Sequence, residues 1–259
     1  LTGAFTGVSG KLGLSAFGVL QVFASFEMTI RAVDVELDGV AGITGSDLND
    51  AQLLALELAF LQLNPADSYY AALAPAGASG VLPGFFVGIP GSVGFQVDSG
   101  RLTYATIKAN PDPLKSVDVT RAYTAILAEV RGAALVGIDG IEIEAIRLEF
   151  ASSSATGAPP LPIAPLDWTT RVDLQASAAT FGADPVVVGT RTIDLTAADA
   201  GISISGALKM EILGFVLAAG GFEFDQLTAL NASDGLITLA NATGMRLSLS
   251  NLHFFVGVG

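Results

Sequence analysis

The chain has no cysteine, one histidine, one tryptophan and few charges, with Asp, Glu, Lys and Arg together making up 14% of 259 residues. Without cysteine there is no disulfide framework, no thiolate metal site and no cysteine nucleophile. The lone histidine, His253, lies in Asn251-Leu-His-Phe-Phe255. No serine sits in a G-x-S-x-G elbow to be activated by it, so His253 reads as a structural residue on a strand. Basic residues are scarce as well: 12 against 25 acidic ones, a net charge of −13 and a pI near 4.2. That field repels nucleic acid and anionic lipid headgroups. Long apolar runs are missing; Gly214 to Phe222 falls short of the roughly 18 residues of a membrane-spanning helix.

What is abundant is apolar surface. Hydrophobic residues make up 51% and mean hydropathy is +0.59, whereas a water-facing globule carries roughly 25% charged residues. Either little of the surface meets water, or the exposed face is built from Ser, Thr, Ala and Gly. The dominant period is two. Ile202, Ile204, Leu208, Met210 and Ile212 alternate with Ser203, Ser205, Lys209 and Glu211. Successive side chains of a strand point to opposite faces, so this order builds one apolar and one polar face. Lys11 to Ala16, Phe26 to Ile30, Val172 to Ala176 and Met245 to Leu249 repeat it. Residues 47–63 carry a helix start signal at Ser46 or Asp47. Their core, Leu54-Ala-Leu-Glu-Leu-Ala-Phe60, alternates like a strand, and a strand is expected there.

Three segments change phase midway: Leu54 to Phe60 is followed by Leu61 and Leu63, Ile141 to Ala145 by Ile146 and Leu148, and Met245 to Leu249 by Leu252 and Phe254. One extra residue moves every later side chain to the other face, which a β-bulge absorbs. Bent, rolled strands are therefore expected, burial on both faces near a strand end being the alternative. Asp38-Gly39, Asn64-Pro65, Asn110-Pro-Asp-Pro113, Asp139-Gly140 and Asp234-Gly235 punctuate the chain as turns. Ala151 to Pro165, rich in Ser, Gly and Pro, reads as an irregular junction. It divides residues 1–150, one or more β units, from residues 151–259, a second unit cut short within its repeat.

The evidence for units is self-similarity. Ser9 to Met28 aligns without a gap on Ser205 to Phe224, with identity at Ser9/Ser205, Gly10/Gly206, Leu12/Leu208, Gly18/Gly214, Phe26/Phe222 and Glu27/Glu223. Such duplication signals units that bury apolar surface against neighbours. Fainter echoes link Val87-Gly-Ile-Pro-Gly91 with Val136-Gly-Ile-Asp-Gly140, and Tyr69 to Ala74 with Tyr123 to Ala128. No short coil repeat of a β-helix is present. The expected fold is all-β: an extended antiparallel meander of long, bent strands (a rod, rolled sheet or sandwich) in tandem repeat units.

Catalytic motifs fail one by one. A P-loop ending at Gly10-Lys11 would need Gly at position 5 and Ser or Thr at position 12, where the chain has Phe5 and Leu12. Gly7, Gly10 and Gly13 read instead as close-packed strand positions. Glu142 and Glu144 share a strand face roughly 6.8 Å apart but lack companion acids, and read as a solvated face. Asp47, Asn49 and Asp50 offer hard oxygens for calcium without an EF-hand or glycine-aspartate nonapeptide pattern. Trp168 reads as a core or loop anchor rather than a sugar platform. Asn231-Ala-Ser and Asn241-Ala-Thr are sequons with meaning only in a eukaryotic secretory setting. No catalytic, cofactor-binding or metal residue is assigned, and no enzyme is expected.

Pro165-Leu-Asp-Trp-Thr169, Phe181-Gly-Ala-Asp-Pro-Val-Val-Val-Gly-Thr190, Thr192-Ile-Asp-Leu-Thr196, Leu135-Val-Gly-Ile-Asp-Gly140 and Phe255-Val-Gly-Val-Gly259 together resemble the long repeats of giant, repeat-rich bacterial proteins, secreted or on the cell surface. Residues 47–70 depart most from that pattern. The resemblance implies a repetitive structural segment without catalytic residues. The chain, which begins without Met and ends within that last string, reads as a window on a longer array. Its expected role is a stalk, matrix or filament building block, partnered by neighbouring repeats or identical subunits. The alternative is a carrier whose apolar strand faces roll into a groove for lipid or another hydrophobic ligand. An outer-membrane barrel would need aromatic girdles, whereas Phe is scattered and Tyr few.

Overall fold

The structure is a computed structural model describing residues 5–39, 47–89, 91–116, 118–158, 163–176, 180–233 and 235–257. The strands are β1 (Phe5–Ala16), β2 (Leu20–Val35), β3 (Leu48–Phe60), β4 (Phe85–Gly88), β5 (Gly94–Lys108), β6 (Ala122–Val136), β7 (Ile141–Thr156), β8 (Val172–Asp173), β9 (Val187–Val188), β10 (Arg191–Thr192), β11 (Gly201–Ile212), β12 (Val216–Ser233) and β13 (Thr238–Val256). One helical turn, α1 (Tyr70–Leu73), interrupts them. Among the described residues eleven strands form one sheet in the order β1-β2-β3-β5-β6-β7-β11-β12-β13, with β4 and β8 attached at its side; every strand pairing in it is antiparallel, and a single bridge between Ser153 and Ala200 is parallel. The chain is all-β and meanders through a single large sheet, as the period-two patterning predicts.

Alternation gives this sheet two unlike faces. On one, a cross-strand ladder runs Phe26, Leu58, Leu102, Ala128, Phe150, Ile204, Phe224, Leu247, each paired with the next. The adjacent ladder, on the opposite face, runs Lys11, Ser25, Ala59, Arg101, Glu129, Glu149, Ser205, Glu223, Ser248. Further along that second face the residues turn apolar and the main core forms. Ala51, Leu53 and Ala55 of β3, Ala105 and Ile107 of β5, and Tyr123, Ala125 and Leu127 of β6 are buried there. Residues 163–176 and 180–195 close over them, contributing Leu166, Trp168, Val172, Val186, Val188, Ile193 and Leu195. This cover is pinned by β8 pairing with the end of β2, by the Glu36 N–H donating to the Arg171 carbonyl at 3.1 Å and by the Trp168 N–H donating to the Leu195 carbonyl at 2.9 Å. Each large apolar side chain so buried stabilises the fold by about 1.5–3 kcal/mol.

Two of the three phase changes are bulges. β7 carries an extra residue against β11: Ala207 pairs with Arg147 but Leu208 with Ala145, leaving Ile146 over. β13 does the same between Ser250 and His253, where Asn251 adopts φ +49°. The third change, after Phe60, is not a bulge. The chain leaves the sheet there, and β4 later occupies the same slot between β2 and β5. The intervening excursion begins with the Leu61 N–H on the Phe23 carbonyl and ends with the Phe23 N–H on the Gly84 carbonyl. β3 has its bulge at the other end, at Asn49-Asp50, where its register against β2 shifts and Asp50 has φ +51°. That extra residue lets Leu48 and Ala51 both enter the core, although an unbroken strand would point them to opposite faces.

The irregular junction predicted from residue 151 begins later. Residues 151–156 complete β7, because Ala151 and Ala155 pack on the core and Ser153 is buried; small side chains fit beneath the cover. The sheet then continues across the junction through β7 and β11. The echo between Tyr69–Ala74 and Tyr123–Ala128 is not structural, since the first forms α1 and the second lies in β6. That between Val87–Gly91 and Val136–Gly140 marks strand ends entering hairpins, with positive φ at Gly91, Gly137 and Gly140.

Candidate functional site

The duplicated segment proves to be one hairpin made twice. In β1–β2, Ala16 pairs with Leu20 and Gly10 with Phe26; in β11–β12, Ile212 pairs with Val216 and Gly206 with Phe222. Both reverse through the same turn, with φ +55° and +69° at Phe17 and Gly18, and +52° and +71° at Leu213 and Gly214. The turns close by the Val19 N–H donating to the Ala16 carbonyl at 3.1 Å and the Phe215 N–H to the Ile212 carbonyl at 3.2 Å. Positive φ at both central residues defines a type I′ turn, whose twist matches that of the flanking strands. The likeness reaches the third strand: Leu58, Leu56 and Leu54 face Phe26, Met28 and Ile30, while Leu249, Leu247 and Met245 face Phe222, Phe224 and Gln226.

The copies do not stack on each other. They lie in one sheet, with β3, β5, β6 and β7 between the two hairpins. Their surroundings differ in two ways. β11 is paired with β7 along its length, whereas β1 is the outermost strand of the sheet among the described residues. Phe23 and Ala24 of β2 are buried and the end of β3 is half-buried, whereas β13 is bare: Met245, Leu247, Leu249, Leu252 and Phe254 are 57–77% exposed. His253 stands on this strand, exposed and opposite Ala219.

The polar ladder is internally neutralised. Glu129 receives Arg131 at 2.6 Å, Arg147 at 3.6 Å and Arg191 at 4.0 Å, and the Arg131 hydrogen bond, followed by these charges, holds its carboxyl below the usual range. Arg246 joins Asp225 at 2.7 Å and Glu223 at 3.4 Å. Glu142 pairs with Lys209 at 2.8 Å, which accounts for one member of the Glu142/Glu144 pair. Solvent screens exposed pairs of this kind, and they add little to stability.

Of the hard oxygens at Asp47, Asn49 and Asp50, to which no metal is assigned, those of Asp47 and Asp50 are engaged separately. Asp50 is paired with Lys115. Asp47 instead lies within 4.8 Å of Glu36 and Asp38. In that trio Glu36 is bound to Arg171 and accepts the Gly39 N–H, and Asp47 accepts the Leu37 N–H at 2.6 Å. These carboxylates tie the loop after β2 to the cover. A nearby recess of about 360 Å³, lined by Glu36, Arg121, Tyr123, Ile163 and Arg171 among others, has its arginines engaged with Glu36 and Asp118. Trp168 is fully buried and belongs to the core. Ser46 and the side chains of Asn231 and Asn241 lie outside the described residues.

Asp34 is the strained acid. It is 4% exposed and faces Asp173 across the β2–β8 pairing. Burial pushes its pKa up to about 6; Asp50 and Asp173 push the same way, while the Asp50 N–H and Lys115 oppose them. A carboxyl whose pKa is higher in the folded than in the unfolded chain carries no penalty below the unfolded value of 3.8. The penalty grows as pH rises to about 6 and is complete above that, at most about 3 kcal/mol. Asp34→Asn keeps the acceptor for the Asp50 N–H, which lies at 2.8 Å. It is expected to raise the urea midpoint at pH 8 and to leave it unchanged at pH 4; an equal shift at both would discount the titration.

Comparison of the chain with protein-family models, with curated proteins and with solved structures finds no match.

Proposed function

We propose that the chain is a non-enzymatic structural segment of a large bacterial extracellular or surface protein, a building block of a stalk, matrix or filament. The observation that carries this reading is the hairpin made twice with the same register and turn, the second copy joined to the first unit through β7 and β11 in one sheet. What is duplicated is a packing element: its shared residues are glycine, leucine and phenylalanine with one serine and one glutamate. Internally paired charges on the polar ladder support a surface that needs no ligand. A second reading, a carrier of lipid or another hydrophobic ligand, is favoured by the apolar ladder and its 61% exposed Leu247. Native mass spectrometry before and after organic extraction separates the two. The scaffold predicts the bare chain mass in both spectra; reproducible lipid lost on extraction would sink it.

A further inference from the structure

We infer that the open edge of β1 is a docking site for one strand of a further unit, an antiparallel strand of the β7 type, in the register that β7 adopts on β11. The inference rests on the scaffold reading above and names its partner.

Three observations converge on it. First, β1–β2 and β11–β12 share register and turn, so their backbones present the same edge. On β11 that edge is filled by β7 over Gly201 to Ile212; on β1 no strand occupies it among the described residues. Second, Gly206 is dictated by its neighbour. A Cβ there would lie 2.5 Å from the Arg147 carbonyl oxygen and 2.8 Å from the Leu148 side chain, beside the β7 bulge. Gly10 occupies the same place in β1, where a Cβ would meet only the edge of the Phe26 ring at 3.0 Å and no backbone. The bulged strand that makes glycine necessary at 206 is the piece missing at 10. Third, β1 is a lightly guarded edge. It is twelve residues long, without proline or a bulge, and Val8 and Leu14 stand 47% and 49% exposed; its guards are Lys11, drawn over the Tyr69 ring at 3.5 Å, and Leu73 of α1 against Gly13. Such an edge is a template for another strand.

A second copy joining through its own β13 fits less well. Strands alternate in direction along the sheet, so β1 and β13 run the same way. Copies set end to end in one orientation would pair parallel there, against every strand pairing within the sheet. In the β11 register, Ser9 faces the residue that Ser205 faces, Glu149.

The test uses the full chain carrying Ser9→Cys and a synthetic peptide of residues 141–156 as the added strand. A peptide with Glu149→Cys is expected to form a disulfide with the chain, and one with Leu148→Cys, which points to the other face, is not. Gly10→Ala in the chain is expected to leave its melting temperature nearly unchanged while weakening peptide binding about tenfold or more, since the docked bulge would then meet a methyl group. Equal crosslinking from both peptides, capture at Ser250→Cys of β13 instead, or full binding by the Gly10→Ala chain would overturn the assignment. The extraction experiment reads the scaffold separately. A lipid-free chain that refuses the peptide defeats the edge assignment alone, and a lipid-loaded chain that takes it defeats the scaffold alone.

Discussion

Trp168→Ala is expected to destabilise the chain by about 3–5 kcal/mol, the range for removing a buried large aromatic side chain. Trp168 is fully buried and belongs to the core cluster that joins residues of β3, β5 and β6 to those of the cover. Its backbone N–H also holds Leu195, so the side chain sits where the two ends of the cover meet. The indole Nε1 is buried without a hydrogen-bond partner, so Trp168→Phe removes an unsatisfied donor while keeping most of the apolar volume. The phenylalanine variant should therefore lose much less, under about 2 kcal/mol. Chemical denaturation with hydrogen exchange checks both. Protection should fall first at Ile193 and Val188 of the cover; an alanine variant as stable as the parent would remove Trp168 from the core.

Gly206→Ala is expected to cost about 1–3 kcal/mol through overpacking, with its effect confined to one seam. The new methyl group would press on the Arg147 carbonyl and Leu148, where β11 meets the bulge of β7. Amides of β7 and β11 near this point should exchange faster while those of β3 and β5 keep their protection. The same substitution at Gly10 meets a ring edge that can shift, and should cost under about 0.5 kcal/mol. Equal losses at both positions would show that β7 contributes nothing to the requirement at 206.

Much of this fold can be read from alternation. Leu54 to Phe60 and Ile202 to Ile212 are strands because their apolar residues recur every second position, a local signal that needs no tertiary information. The bulges after Ala145 and after Leu249 are legible for the same reason: a phase change is a count. The phase change after Phe60 looks alike in sequence, yet it is a strand's end, because the count cannot tell a kink from a departure. Asp50 marks the bulge of β3 by its positive φ, a conformation that Asp tolerates, but an Asp in a polar stretch is no signal alone. Residues 151–156 mislead through composition: Ala and Ser look like a linker, and only the cover above them makes small residues the right size. The cover itself was the least legible element. Its strands are two residues each, too short for a period, and its partners lie far away in sequence. The duplicated hairpin was visible as identity, while its place beside β7 depends on pairings the alignment does not contain.

The cover follows in the chain everything that it covers. Residues 163–176 and 180–195 close over β2, β3, β5 and β6, all of which precede them. During synthesis the core face of those four strands leaves the ribosome bare and stays so until Leu195 has emerged. Hydrophobic surface waiting in this way is where a nascent chain meets chaperones or misassembles. Then β11, β12 and β13 are laid down on β7, and the newest strand is again the uncovered one.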